Sequence, residues 1–198
     1  MSTKLIHWAA IVTLLAIASG CSLNNEQPRA ATPPPGSEAP TENEATPTPV
    51  TSQATSPPPS LVKRLLETKE CPGCDLEGVN LKGANLQGAK LNDAILQGAN
   101  LQGANLSKAD LEEANLKGAN LQGANLSRAD LEEAFLKRAN LSKANLAQSQ
   151  LDEAMLDSAN LSSANLNEVD MDGANLNNAN LNGASLTGAI MPDGTTHK

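Results

Sequence analysis

Groups able to ionise, ligate a metal or attack a carbon are few in this chain, apart from one repeated kind. The two histidines, His7 and His197, stand at opposite extremities, and no nucleophile–base pair is visible around either. Cys71-Pro72-Gly73-Cys74 has the spacing of a redox dithiol. Such a motif needs a helix N-terminus after a strand to lower a thiol pKa, and here a repeat follows instead. Two thiols without a histidine close by do not complete a zinc site. Carboxylates are abundant, 22 against 14 basic side chains, but they recur too uniformly to supply a tuned acid and base. No nucleophile, metal site or cofactor site emerges, and the chain is read as not an enzyme.

Composition narrows the architecture. One Phe, one Trp and no Tyr in 198 residues leave no rings to fill an ordinary core. A formal charge of -8 argues against a grip on nucleic acid, which needs a basic surface.

From Asp75 onward a single pattern fills the chain: Ala, Asn or Asp, Leu, and two variable residues. Leu recurs every fifth residue from Leu76 to Leu186, with Met171 and Met191 standing in, which makes 24 repeats. On an α-helix five residues advance about 140°, so such a series spirals over the whole surface. On a flat strand every fifth residue changes face. Only a chain that turns at a regular corner keeps all these side chains inside. The glycines two residues past each Leu position mark that corner. Residues 99–118 and 119–138 match at 17 of 20 positions, so four pentapeptides close one turn. The expectation is an all-β coil of about six square turns, each bonded to its neighbours. Cys71 falls on a Leu position and Cys74 on an Ala position, both inward. That favours a buried structural pair, with a local disulfide as the alternative.

The A(N/D)Lxx run resembles the pentapeptide repeat proteins. The resemblance covers residues 71–191 and implies their fold, a right-handed quadrilateral β-helix with Leu and Ala inside. It implies little about function.

Stacking the repeats by twenty gives columns. Asn80, Asn100, Asn120, Asn140, Asn160 and Asn180 form one, read as corner stabilisation by amide ladders. An acidic face gathers Asp110, Glu112, Glu113, Asp130, Glu132, Glu133, Asp152 and Glu153. Two carboxylates ~5 Å apart in water repel by roughly 0.8 kcal/mol, and Lys108 and Arg128 are expected to relieve part of that. The face is read as solubilising, with divalent-cation binding or docking of a basic partner as alternatives. On a further face Ile95, Phe135 and Met155 replace Asn, beside Lys117, Lys137 and Arg138. If outward, they make an aligned apolar strip suited to contact with a protein partner.

The N-terminal third is of another kind. Residues 1–20 read as an export signal: Lys4, an uncharged stretch too short to span a bilayer, then Ala18-Ser19-Gly20. With Cys21 they resemble a bacterial lipobox, which implies cleavage before Cys21 and its acylation. Residues 21–60, rich in Pro, Thr and Ser, are expected to be a disordered tether reaching between roughly 35 and ~120 Å. Residues 61–70 are expected to form a helix capped by Ser60, lidding the first coil with Leu61, Val62, Leu65 and Leu66. Residues 192–198 make a tail whose weak lid leaves room for end-to-end pairing of two copies.

The expected role is that of a non-enzymatic, membrane-anchored lipoprotein of the bacterial envelope, facing the periplasm or exterior and acting by surface contact with an unknown protein partner. Cation binding by the acidic face is the alternative. Some pentapeptide repeat proteins mimic DNA toward type II topoisomerases, and the acidic face fits that. The export signal does not.

Overall fold

The computed structural model describes residues 57–198, and the signal, Cys21 and residues 22–56 of the tether lie outside the described residues. No helix among the described residues is long and apolar enough to cross a membrane.

Each pentapeptide makes one short extended side and one tight corner, and the residue before Leu pairs in parallel with its counterpart twenty residues on. The series runs from Glu70↔Lys90 to Asp170↔Ile190 without a gap, so a turn of the coil is four pentapeptides. The backbone is satisfied in a repeating way. In one unit the Leu101 N–H donates to Asn120 O at 2.8 Å and Gly103 N–H to Gln122 O at 2.9 Å. Asn120 N–H donates back to Ala99 O at 2.9 Å, and Ala104 N–H closes the corner onto Leu101 O at 3.0 Å. Four of five amides are thus bonded by the backbone alone.

The fifth amide, just after Leu, depends on the side chain before Leu. Wherever Asn or Asp stands there, its Oδ1 accepts this N–H, from Asp75 to Glu77 through Asn180 to Asn182. The same oxygens take amides from the next coil, as Asn100 Nδ2 donates to Asn80 Oδ1 at 3.2 Å and Asn165 Nδ2 to Asn145 Oδ1 at 2.9 Å. Asn at this position is a corner cap and a rung of a ladder.

Inside, the Leu and Ala columns are sealed: every Leu from Leu76 to Leu166 is buried. Each such Leu contributes roughly 1.5–3 kcal/mol relative to an exposed position. Where Ser149 replaces Ala, its hydroxyl donates to Leu146 O at 2.7 Å, so the polar group enters the core satisfied.

The two ends differ. Helix α1, Pro59–Thr68, lies over the first coil with Leu65 fully buried and Leu61 and Val62 packed against the core. Its limits depart from the expected 61–70, and Ser60 is not its cap. Pro58 holds that place without a side-chain bond, because a proline at the start has its φ preset and needs no N–H. Leu66 is 41% exposed, off the expected lidding stripe. At the far end Met191-Pro192-Asp193-Gly194 turns the chain back, and Thr196 pairs antiparallel with Ile190. This hairpin covers one side only. Leu176, Leu181 and Leu186 of the last coil are half-exposed.

Candidate functional site

The cysteines come first, as the chemically distinctive pair among the described residues. Cys71 and Cys74 are buried and bonded to each other as a disulfide, with Cα atoms 5.3 Å apart. The inward register placed both sulfurs in the core, and of the two arrangements expected, a buried pair or a local disulfide, the structure has the bonded one, because the turn between consecutive inward positions brings their Cβ atoms close enough to bridge. Arg64 of α1 reaches over them, its Nη2 3.0 Å from Cys74 Sγ and 3.4 Å from Cys71 Sγ. The disulfide fastens the first corner of the coil and Arg64 joins the lid to it, a structural role.

The carboxylates do not converge. Asp110, Asp130 and Asp170 form one column with Lys90 and Gln150, and the next corner carries Glu112, Glu113, Glu132, Glu133, Asp152 and Glu153. Among the described residues no group of three or more His, Cys, Asp or Glu is placed to hold a metal ion. Among the described residues Lys108 and Arg128 form no ion pair with the stripe, and Arg128 Nε donates to Gln148 Oε1 at 2.8 Å. Among the described residues the ion pairs are Lys63–Glu67 and Lys90–Glu70. The Glu112 carboxyl is pushed up by lost hydration and then by the charges of Asp130, Glu132, Asp110 and Glu113. Asp152 is raised likewise, by burial first and then chiefly by Asp170. The stripe is an electrostatic burden carried within the fold.

The cap is missing at Lys90, Gln150, Ser185 and Ile190, but one column gives it up three times for exposed apolar side chains. Ile95, Asn115, Phe135 and Met155 pair in sequence along one face, and Ile95, Phe135 and Met155 point outward, 40%, 41% and 46% exposed. At these three positions no Oδ1 exists to take the amide of Gln97, Lys137 or Asp157, whereas Asn115 still caps Lys117. Three caps, each worth roughly 0.5–1.5 kcal/mol, are absent in favour of apolar groups in water. Neither stability nor solubility accounts for that exchange. Where the shorter Asn115 stands next to Phe135 there is a depression of about 290 Å³, lined by these two with Gln97, Lys117, Lys137 and Met155. Arg138 stands at the same corner as Lys137, and neither lysine has a carboxylate partner among the described residues. A larger hollow of about 600 Å³ between α1 and the first coil, lined by Val62, Leu66 and Val79, is the seam under the lid.

The arithmetic of twenty also places the acidic corner against the other edge of this strip. Glu112-Glu113 stand one alanine before Asn115, and Glu132-Glu133 one alanine before Phe135. The face is therefore apolar along its middle, negative along one edge, and positive on the other edge at the two middle levels, Lys117 and Lys137 with Arg138, where Asp157 follows one coil on.

Comparison with known proteins agrees with the geometry. Solved structures similar to the chain include HetL, a pentapeptide repeat protein involved in heterocyst differentiation regulation from the cyanobacterium Nostoc sp. strain PCC 7120. It is 38% identical, with 65% of this chain and 66% of that one covered and a TM-score of 0.45. Rfr23 from the cyanobacterium Cyanothece 51142 is 34% identical over 64% of this chain and 92% of its own, with a TM-score of 0.44. QnrB1, a plasmid-mediated fluoroquinolone resistance protein, is 16% identical over 62% of each chain, with a TM-score of 0.45. The chain thus spans just under two thirds of the length of HetL. No curated protein matches. The model of the family described as pentapeptide repeats matches in eight copies, over residues 71–98, 94–132, 119–157 and 154–191. With its twenty-residue turn, inward Leu and Ala and capped corners, the chain belongs to the pentapeptide repeat family, whose members form right-handed quadrilateral β-helices.

Proposed function

We propose that this is a non-enzymatic module of the bacterial envelope, tethered through a lipid on Cys21, that acts by contact through the face carrying Ile95, Phe135 and Met155. The observation that carries the reading is the exchange on that face: capping side chains are given up for exposed apolar ones that stack in register. A local rule broken without structural gain points to a surface kept for something outside the chain. Cys21 directly follows an export-type stretch, and the Pro-rich segment after it gives the coil reach from a membrane surface. A second contact is favoured by the last coil, whose half-exposed Leu176, Leu181 and Leu186 make its open sides suited to end-to-end pairing with another copy.

Fractionation of bacteria producing the full chain or Cys21→Ser tests the anchor. The expected result is a membrane-associated protein with acyl groups on a new N-terminal Cys21, released by the substitution. A soluble cytoplasmic product retaining Met1 overturns it.

A further inference from the structure

We propose that the occupant of this face is a second copy of the same chain, packed side by side with its coil axis parallel to the first. The inference rests on the face being the contact surface, and does not require the lipid.

The argument is one of symmetry. A two-fold axis parallel to the coil axis, lying just outside the middle of the face, brings each coil opposite its counterpart, sets the middle column against itself and exchanges the two edges. Ile95, Phe135 and Met155 then meet their own counterparts, covering the three large apolar side chains exposed on the coil. Glu112 and Glu113 of one copy come opposite Lys117 of the other. One coil further, Glu132 and Glu133 come opposite Lys137 and Arg138. Among the described residues none of these three cations has a carboxylate partner within the protomer, and the Glu112 carboxyl is crowded by Asp130, Glu132, Asp110 and Glu113. At the next level Asp152 and Glu153 would face Asp157, and at the first rung Asp75 would meet its own counterpart, so the favourable contacts are those of the two middle levels. The antiparallel arrangement, with the two-fold axis along the strands, sets acid against acid at every level and is disfavoured. A basic partner would satisfy one edge and repel the other, and an acidic partner the reverse. A copy of this chain satisfies both.

Size sets the strength. Five coils at ~4.8 Å give a face about 24 Å tall, and one side with its corners is about 15 Å wide. Two such faces bury on the order of 800 Å², short of the ~1,200 Å² at which stable interfaces begin. The pairing is therefore weak between freely diffusing chains and depends on local concentration. Parallel axes put both N-termini at the same end, so tethers from a single surface can supply it.

The test is cross-linking of the full chain in bacterial cells. Asn115→Cys puts a thiol beside the two-fold axis, and Asn125→Cys puts one two sides away, on the opposite face. Facing backbones lie about 10 Å apart, within the span of a short bis-maleimide. The unsubstituted chain gives the background from Cys21. The expected result is a dimer-sized product several-fold above background for Asn115→Cys and none for Asn125→Cys. Lys117→Glu with Lys137→Glu lowers the yield at least several-fold, as does Glu112→Lys with Glu132→Lys, although the latter relieves repulsion within the protomer. All four together restore it, which a merely structural effect would not do. Equal yields from Asn115→Cys and Asn125→Cys, or a yield undiminished by Phe135→Lys, overturn the proposal; an end-to-end pair would be of this second kind. Fractionating the same cells reports the anchor separately. Cross-linked product in the soluble fraction keeps the pairing and rejects the lipid, while membrane-bound monomer does the opposite.

Discussion

At the level of single residues, the corner two positions past each Leu is the most demanding place in the chain. Eleven glycines occupy it with positive φ, but Lys108, Glu113, Glu133, Lys143 and others hold the same left-handed conformation at φ 55–60°. The glycines mark the corner in the sequence; nothing in a Lys or a Glu does, and only the coil's closure forces those residues there. Left-handed backbone costs a residue with a Cβ about 1–2 kcal/mol. Gly103 has open space where a Cβ would go, so Gly103→Ala is expected to lower stability by about 1–2 kcal/mol through the backbone alone. Lys143→Gly, at φ 60°, is expected to raise it by up to about 1 kcal/mol. Denaturant unfolding of both variants checks the pair, and equal effects of the same sign contradict the conformational account. The Cys71–Cys74 bond illustrates another limit of reading residues in order. The register placed both sulfurs inward, but whether they bond depends on how closely one particular turn brings them together.

At the level of the repeat, the five-residue period was readable because Leu, Ala and Gly each have one physical reason to be where they are. The Asn columns were readable too, and their bonds to the amide two residues later explain why Asp serves equally well. Less readable was α1, whose start is set by two prolines and not by Ser60. The strip was visible as a column, but its acidic border was missed because the carboxylates were counted as a face of their own. Since Phe135 and Met155 stand where a cap belongs, Phe135→Asn and Met155→Asn are each expected to stabilise the protomer by roughly 0.5–1.5 kcal/mol while removing apolar contact surface. Thermal unfolding of the two variants measures this, and a loss of stability would mean the apolar residues serve the fold. Core truncation should depend on position. Leu131→Ala in a sealed middle coil is expected to cost about 2–5 kcal/mol, and Leu181→Ala in the open last coil clearly less.

At the level of the whole molecule, the protein is a stack whose strength is local and whose surface charge is unbalanced. Glu112 and Asp152 have carboxyl groups raised above their ordinary values, so the folded chain binds protons more readily than the unfolded one. Ionisation of these groups therefore weakens the fold at neutral pH, and stability should rise as pH falls from neutrality toward the ordinary carboxylate range. Asp193 acts in the opposite sense, because the Thr195 hydroxyl and N–H hold its carboxyl low, and that contribution is lost as it protonates. Added salt should mimic mild acidification by screening the stripe. A melting temperature that falls between pH 7 and pH 5 at low salt would contradict this balance.

Hydrogen exchange, resolved amide by amide on the full chain, tests the coil itself most directly. The account predicts slow exchange at each Leu, at the corner residue and at the two amides that follow it, repeated every five residues through the middle coils. The amide just after Leu should be protected where Asn or Asp caps it, as at Gln102 and Gln122, and fast where nothing does, as at Lys137. Protection should fade toward Leu176–Met191 and persist under the Leu65 lid. Continuous protection without a five-residue rhythm, or fraying that begins at the lidded end, would contradict it.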